Sequence, residues 1–165
     1  MGPKTEDLRE SRATAVLSIL RDVTGVVLET MFFSEAVPRS CDHAELNAPG
    51  AQEEWISARV LFDGAPRGEL RVMLSHELAR FIAANFLGAD PEEVSGDADG
   101  QVACELANMI CGAVLSRLHP DAGVALSPPE LLPGDFEISA GVHQCFDTPD
   151  GTLAVTMRVA EGAEP

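Results

Sequence analysis

A chain of 165 residues that is 45% hydrophobic and 23% charged has the size and composition of a globular domain with one sizeable core. Its formal net charge of −16 argues against a sequence-independent grip on nucleic acid or on an anionic membrane, because both require a basic face that releases counterions. Residues 1–10 are too charged for a signal peptide, and Arg21, Asp22, Glu105 and Asn108 interrupt the longest apolar runs before they could span a bilayer, so a cytoplasmic location is expected.

Residues 1–165 read as one domain with loose tails at 1–4 and 161–165. Thr5 suits the cap of a first helix, with Glu6 and Asp7 against the positive end of its dipole. Leu8, Ala15, Val16, Ile19, Leu20, Val23 and Val27 continue a helical period to about residue 33. Pro38, Asn47, Pro49 and Gly50 then break the chain, leaving room for an edge strand over 37–41. From Trp55 the period becomes two: Ile56, Ala58, Val60 and Phe62, a turn at 63–68, then Leu70, Val72 and Leu74, a hairpin with one buried face. Ser75 caps the next helix, whose apolar residues Leu78, Phe81, Ile82 and Phe86 recur at helical spacing, and Gly88 stops it. An acidic connection over 89–100 offers Ser95, Asp97 or Asp99 as the cap of a helix over 101–119, which Pro120 ends. Strands are expected at 124–126, at 136–143 and at 153–159, the last two joined by a turn over 147–151.

The first helix laid on the third with an offset of 87 places Gly25-Val26-Val27-Leu28 on Gly112-Ala113-Val114-Leu115, and Ser18 and Arg21 on Glu105 and Asn108. Each helix leads into a short strand and a hairpin, which implies a doubled unit related by a pseudo-two-fold axis. The fold class that follows is α+β, a mostly antiparallel sheet of about six strands packed with long helices. Cys41, Cys104, Cys111 and Cys145 lack metal-ligand spacing, the four histidines are scattered, and no metal site is expected. Cys104 and Cys111 read as reduced thiols on one helix face.

The helix over 101–119 carries the chemistry. Between Gln101 and Ser116 its one charge is Glu105. At about 100° per residue, Gln101, Glu105, Asn108, Gly112, Leu115 and His119 share one stripe, while Val102, Leu106, Met109, Ile110 and Ala113 share another suited to a core. A solvated face of this length normally collects several charges. One acid, one amide and a glycine on a partly apolar stripe suit close approach by another macromolecule.

Glu105-Leu106-Ala107-Asn108-Met109-Ile110-Cys111-Gly112 resembles the E-x-x-N helix of the CheC/CheX/FliY chemotaxis phosphatase family, closest to the CheX branch, over about residues 8–160. The resemblance implies a phosphatase that dephosphorylates a CheY-like response-regulator receiver domain, with Glu105 and Asn108 as catalytic residues and Gln101 and Gly112 at the substrate contact. It implies no cofactor of the chain's own, because Mg²⁺ arrives on the phosphorylated receiver, and it allows a homodimer. Two departures stand out. The family favours Asp or Ser where Gln101 stands, and the proline expected beyond the asparagine has three candidates, Pro128, Pro129 and Pro133, at separations of 20, 21 and 25.

That implied chemistry suits these residue types. Hydrolysis of an aspartyl phosphate is an in-line attack by water in which positioning and charge stabilisation do most of the work. An amide such as Asn108 can orient the water, and a carboxylate such as Glu105 can pair with a cation on the partner. Gln101 motivates the alternative of a non-catalytic receiver-binding or scaffold domain with the same fold. Gly112 motivates a third, a homodimer seam.

Overall fold

The computed structural model describes residues 5–48, 55–133, 138 and 140–160. Helix α1 spans Thr5–Phe32, followed by strand β1 (Val37–Arg39) and the one-turn helix α2 (His43–Leu46), which Asp42 caps by accepting from the Glu45 N–H. The hairpin of β2 (Trp55–Asp63) and β3 (Gly68–Ser75) leads directly into α3 (His76–Leu87). Both ends of α3 form as its sequence dictates: Ser75 Oγ accepts from the Leu78 N–H, and Gly88 closes the helix in the left-handed region at φ 63°. A 3₁₀ turn at Pro91–Glu93 precedes α4 (Gly96–Leu118), then β4 (Ala125–Leu126), β5 (Glu130–Leu131), β6 (Val142–Thr148) and β7 (Gly151–Val159).

The strands form one antiparallel sheet of seven in the order β1-β6-β7-β3-β2-β4, with β5 also on β2. Exchanging β1, β2 and β3 for β4, β6 and β7 reproduces that order from its other end, so the sheet carries the pseudo-two-fold that the offset of 87 implied. The helices agree. Val16, Leu20, Val23, Thr24, Val27 and Leu28 are buried in α1, and their counterparts Ala103, Ala107, Ile110, Cys111, Val114 and Leu115 are buried in α4. Among the described residues, helix α3 has no counterpart in the second half.

One face of the sheet carries Ala58, Val60, Leu70, Val72, Phe146 and Val155 into the main core under α1, α3 and α4. The other face has a smaller cluster of Leu46, Met73, Ile138, Cys145 and Ala154, beside a polar group centred on buried Glu69. Glu69 lies 3.0 Å from Arg71, 3.7 Å from Arg158 and 3.9 Å from Arg59. Strand β3 is therefore covered on both faces, not on one as its alternation suggested. It is the centre of the sheet, and even its polar residues Glu69 and Arg71 are buried.

Three further expectations change. Helix α4 begins at Gly96 and absorbs residues that read as a connection; burial of Ala98, Asp99 and Gly100 outweighs the low helix propensity of the two glycines. The strand placed over 136–143 lies at Val142–Thr148, while residues 134–137 and 139 lie outside the described residues. The turn after it is only Pro149-Asp150, because Asp147 and Thr148 pair with Thr152 and Gly151. At φ 146°, Gly151 fits a conformation that side chains resist, and a Cβ there would stand 2.2 Å from Ser75 Oγ. Beyond these changes, Cys41 and Cys145, for which no pairing was expected, form a disulfide across 104 residues of chain, while Cys104 and Cys111 are free as expected.

Leu106 of α4 is fully buried between sheet and helices. Leu106→Ala is expected to lower unfolding free energy by about 2–5 kcal/mol, the usual range for a truncated core leucine; urea denaturation followed by circular dichroism measures it.

Candidate functional site

Helix α4 is fixed by its ends as well as its core face. Ser95 stands at the N-cap, Asp97 and Asp99 occupy the first turn and Arg117 the last, each charge matching the helix dipole. Asp99 is buried with a carboxylate oxygen 3.7 Å from Arg80 of α3, which ties the two helices together. Val102, Leu106 and Ile110 go into the core as the periodicity requires, whereas Met109 and Ala113 are half-buried at its margin.

The outward stripe carries the predicted residues. Gln101 and Glu105 are exposed, and Asn108 and Gly112 are half-buried. Leu115, placed on this stripe by the angular count, is buried instead; it lies at the edge of the stripe, where the core reaches round the helix. A Cβ added to Gly112 would meet only the Leu126 side chain at 3.9 Å, so this part of the helix is open to a visitor. Among the described residues, neither the Glu105 carboxylate nor the Asn108 amide has a hydrogen-bond or ion-pair partner.

Gln101 and Glu105 form part of one wall of a groove of about 620 Å³. Its other walls are Ala83, Phe86 and Leu87 from α3, Gly96, Asp97, Ala98 and Gly100 at the start of α4, and Pro129 and Leu131. Of the three candidate prolines, Pro129 is the one that lines this groove with Glu105. Asn108 lies one turn beyond the lining. Leu131 and Leu87 were not among the residues singled out from the sequence, and Phe86, read there as part of the apolar period of α3, is exposed on the groove. Leu131 reaches the groove from about thirty residues down the chain, a juxtaposition that periodicity cannot reveal.

The segment carrying Pro129 and Leu131 is fastened to the edge of β2. The Ser127 N–H donates to the Leu61 carbonyl at 2.8 Å, the Leu61 N–H donates to Ser127 Oγ at 2.9 Å, and the Leu132 N–H donates to the Ser57 carbonyl at 2.9 Å. Arg59 Nε adds a bond of 2.8 Å to Glu130 Oε1.

The site's electrostatics are acidic. Cys104 lines the groove beside Glu105, and burial, reinforced by the Glu105 charge, pushes its thiol above the ordinary range. Burial pushes the Cys111 thiol up to about 12. Among the described residues no cluster of three or more His, Cys, Asp or Glu could hold a metal ion, and no helix is long and apolar enough to cross a membrane.

Comparison with known proteins bears on this arrangement. The family model described as chemotaxis phosphatase CheX matches residues 56–146, more than half of the chain. The chain belongs to the CheX family. The matched region contains the helix with Glu105 and Asn108, the groove and its strap. The chemotaxis protein CheX from Vibrio vulnificus superposes with a TM-score of 0.70 at 17% identity, covering 88% of this chain and 96% of that one. The CheX in a CheX–CheY–BeF₃–Mg²⁺ complex from Borrelia burgdorferi gives 0.65 at 18% identity, covering 88% and 98%. The fold extends to Thermotoga maritima FliY, with a TM-score of 0.59 at 15% identity over 98% of this chain and 93% of that one. No curated protein sequence matches the chain.

The two free thiols give a direct check on how α4 is buried at two points along its length. At pH 8, Cys104 is expected to react with a thiol reagent more slowly than an unperturbed cysteine, because its raised pKa reduces the thiolate fraction. Cys111 should react only after denaturation. Counting labelled thiols with and without denaturant by mass spectrometry measures both.

Proposed function

We propose that this chain is a protein-aspartyl-phosphate phosphatase acting on a CheY-like receiver domain, with Asn108 orienting the attacking water and Glu105 anchoring the partner. The observation that carries this reading is the unpartnered acid and amide one turn apart on the open side of a helix whose other side is locked in the core. Membership of the CheX family supports the reaction class.

Asn108 serves as a positioning group. Its side-chain oxygen can accept a bond from the water while its amino group donates to a phosphoryl oxygen, which sets the water in line with the phosphorus without taking its proton. Glu105 accepts from a lysine or arginine of the receiver, a charge-assisted contact that fixes the register of α4 across the phosphoryl group. The receiver supplies the phosphorylated aspartate and Mg²⁺. Gln101 and Gly112 flank the pair, the first as a neutral hydrogen-bonding group and the second as space for close approach.

A non-catalytic receiver-binding domain is the competing reading, motivated by the exposed Gln101 where the family favours an acid or serine. Dephosphorylation of a phosphorylated receiver separates the two. Wild type is expected to accelerate phosphate loss, Asn108→Ala to reduce that acceleration about 10²-fold, and Glu105→Ala chiefly to raise KM, by about tenfold. Binding without acceleration, unaffected by Asn108→Ala, favours the scaffold. Chelating Mg²⁺ is expected to abolish turnover, because the ion balances the charge that develops on the transferred group.

A further inference from the structure

The groove beside Glu105 has a built wall and a distinct chemistry. Three of its apolar side chains stand more than half exposed: Phe86 at 56%, Leu87 at 59% and Leu131 at 54%. Its charged lining consists of Asp97 and Glu105, with no lysine or arginine. The position of Leu131 depends on a glycine, since a Cβ on Gly100 would come within 2.7 Å of Leu131 Cδ1. It also depends on Arg59, which reaches across β2 to Glu130 while keeping its other end 3.9 Å from buried Glu69. Glu130 and Leu131 make a strand of two residues. So short an element has little cohesion of its own, and the ion pair is positioned to hold it.

Resting on the function proposed above, we propose that this groove is the docking pocket for an apolar side chain of the receiver that stands beside a lysine or arginine, and that Arg59–Glu130 holds its far wall. An apolar cleft rimmed by carboxylates is complementary to that pair of groups: the hydrocarbon is desolvated on Leu87, Leu131 and Pro129 while the cation meets Glu105 or Asp97. A second copy of this chain is a poor occupant, because each copy carries a net charge of −16 into a groove that is already negative. A pocket of about 620 Å³ admits more than one side chain, which fits a segment of a folded partner. The pocket makes receiver choice separable from catalysis. Asn108, outside the lining, would set the rate, and the strap would set which receiver stays long enough to react.

The test is a binding titration with the CheY-type receiver encoded in the same genome, loaded with Mg²⁺ and beryllofluoride, alongside turnover of the phosphorylated form. Leu131→Asp is expected to weaken binding about tenfold or more and Leu87→Ala about threefold, as for side chains at the edge of an apolar anchor site. Both positions are exposed, so the melting temperature should hold. Glu130→Ala should weaken binding about threefold, and Glu130→Gln, which keeps an acceptor for the guanidinium, should recover most of that loss. The losses should fall on Kd and KM and leave kcat at saturating receiver within about twofold. Wild-type affinity in Leu131→Asp and Leu87→Ala overturns the pocket while leaving the phosphatase reading intact. Failure of the wild-type chain to bind the receiver overturns both. A shift from dimer to monomer in Leu131→Asp with receiver affinity unchanged assigns the groove to a second copy and also overturns the proposal.

Discussion

The packing of α4 against β2, β3, α1 and α3 is the constraint on which the rest of the molecule depends. Its core face alternates bulk with small residues: Leu106 and Ile110 fill space, while Ala103 and Ala107, both fully buried, bring the backbone close to its neighbours. A helix held this way has no freedom to roll. The outward positions are then fixed by helical geometry alone, so the backbone that carries Glu105 and Asn108 would have little conformational entropy left to lose on meeting a partner.

The same constraint explains an unequal division of labour between two halves that share an architecture. The sheet order reads alike from both ends, and six positions buried in α1 have counterparts at an offset of 87 that are buried in α4. The outward positions differ. Arg21, on α1 at the place of Asn108, is turned to β6, with its Nε 3.4 Å from Gln144 Oε1. Among the described residues the amide on α4 makes no such internal bond. One half thus spends its polar group on structure and the other presents it to a visitor, although the folding instructions of the two helices are nearly interchangeable.

Much of this was legible in the sequence where information is local. The α3 helix announced both of its ends through Ser75 and Gly88, the β2–β3 hairpin through a period of two, and the outward face of α4 through its shortage of charge between Gln101 and Ser116. Misplacements occurred where distant partners decide. Gly96 and Gly100 read as loop because their low helix propensity is local, while the burial that overrides it comes from elements such as Leu131. The β6 strand was set too early because pairing with β7 and β1 selects its register, and alternation alone permits a shifted segment. The Cys41–Cys145 link and the groove wall lie beyond any reading of spacing. Each joins residues whose proximity exists only after the sheet has closed.

Charge placement gives the proposed chemistry its asymmetry. Of the 11 lysines and arginines, Arg59, Arg71 and Arg158 are gathered around Glu69 on the sheet, and Arg39 is held by Glu45 and Asp147, where the paired carboxylates keep its guanidinium more firmly protonated. Cations committed to internal pairs cannot cradle a phosphate elsewhere. An exposed carboxylate such as Glu105 near a phosphoryl group would be repulsive by itself, and becomes favourable only with a cation between the two. On the proposed reading that cation belongs to the receiver. Free phosphate esters, lacking it, would be repelled by the same residue that a loaded receiver requires, so the run from Gln101 to Ser116, with almost no charge, can be selective through the one acid it has.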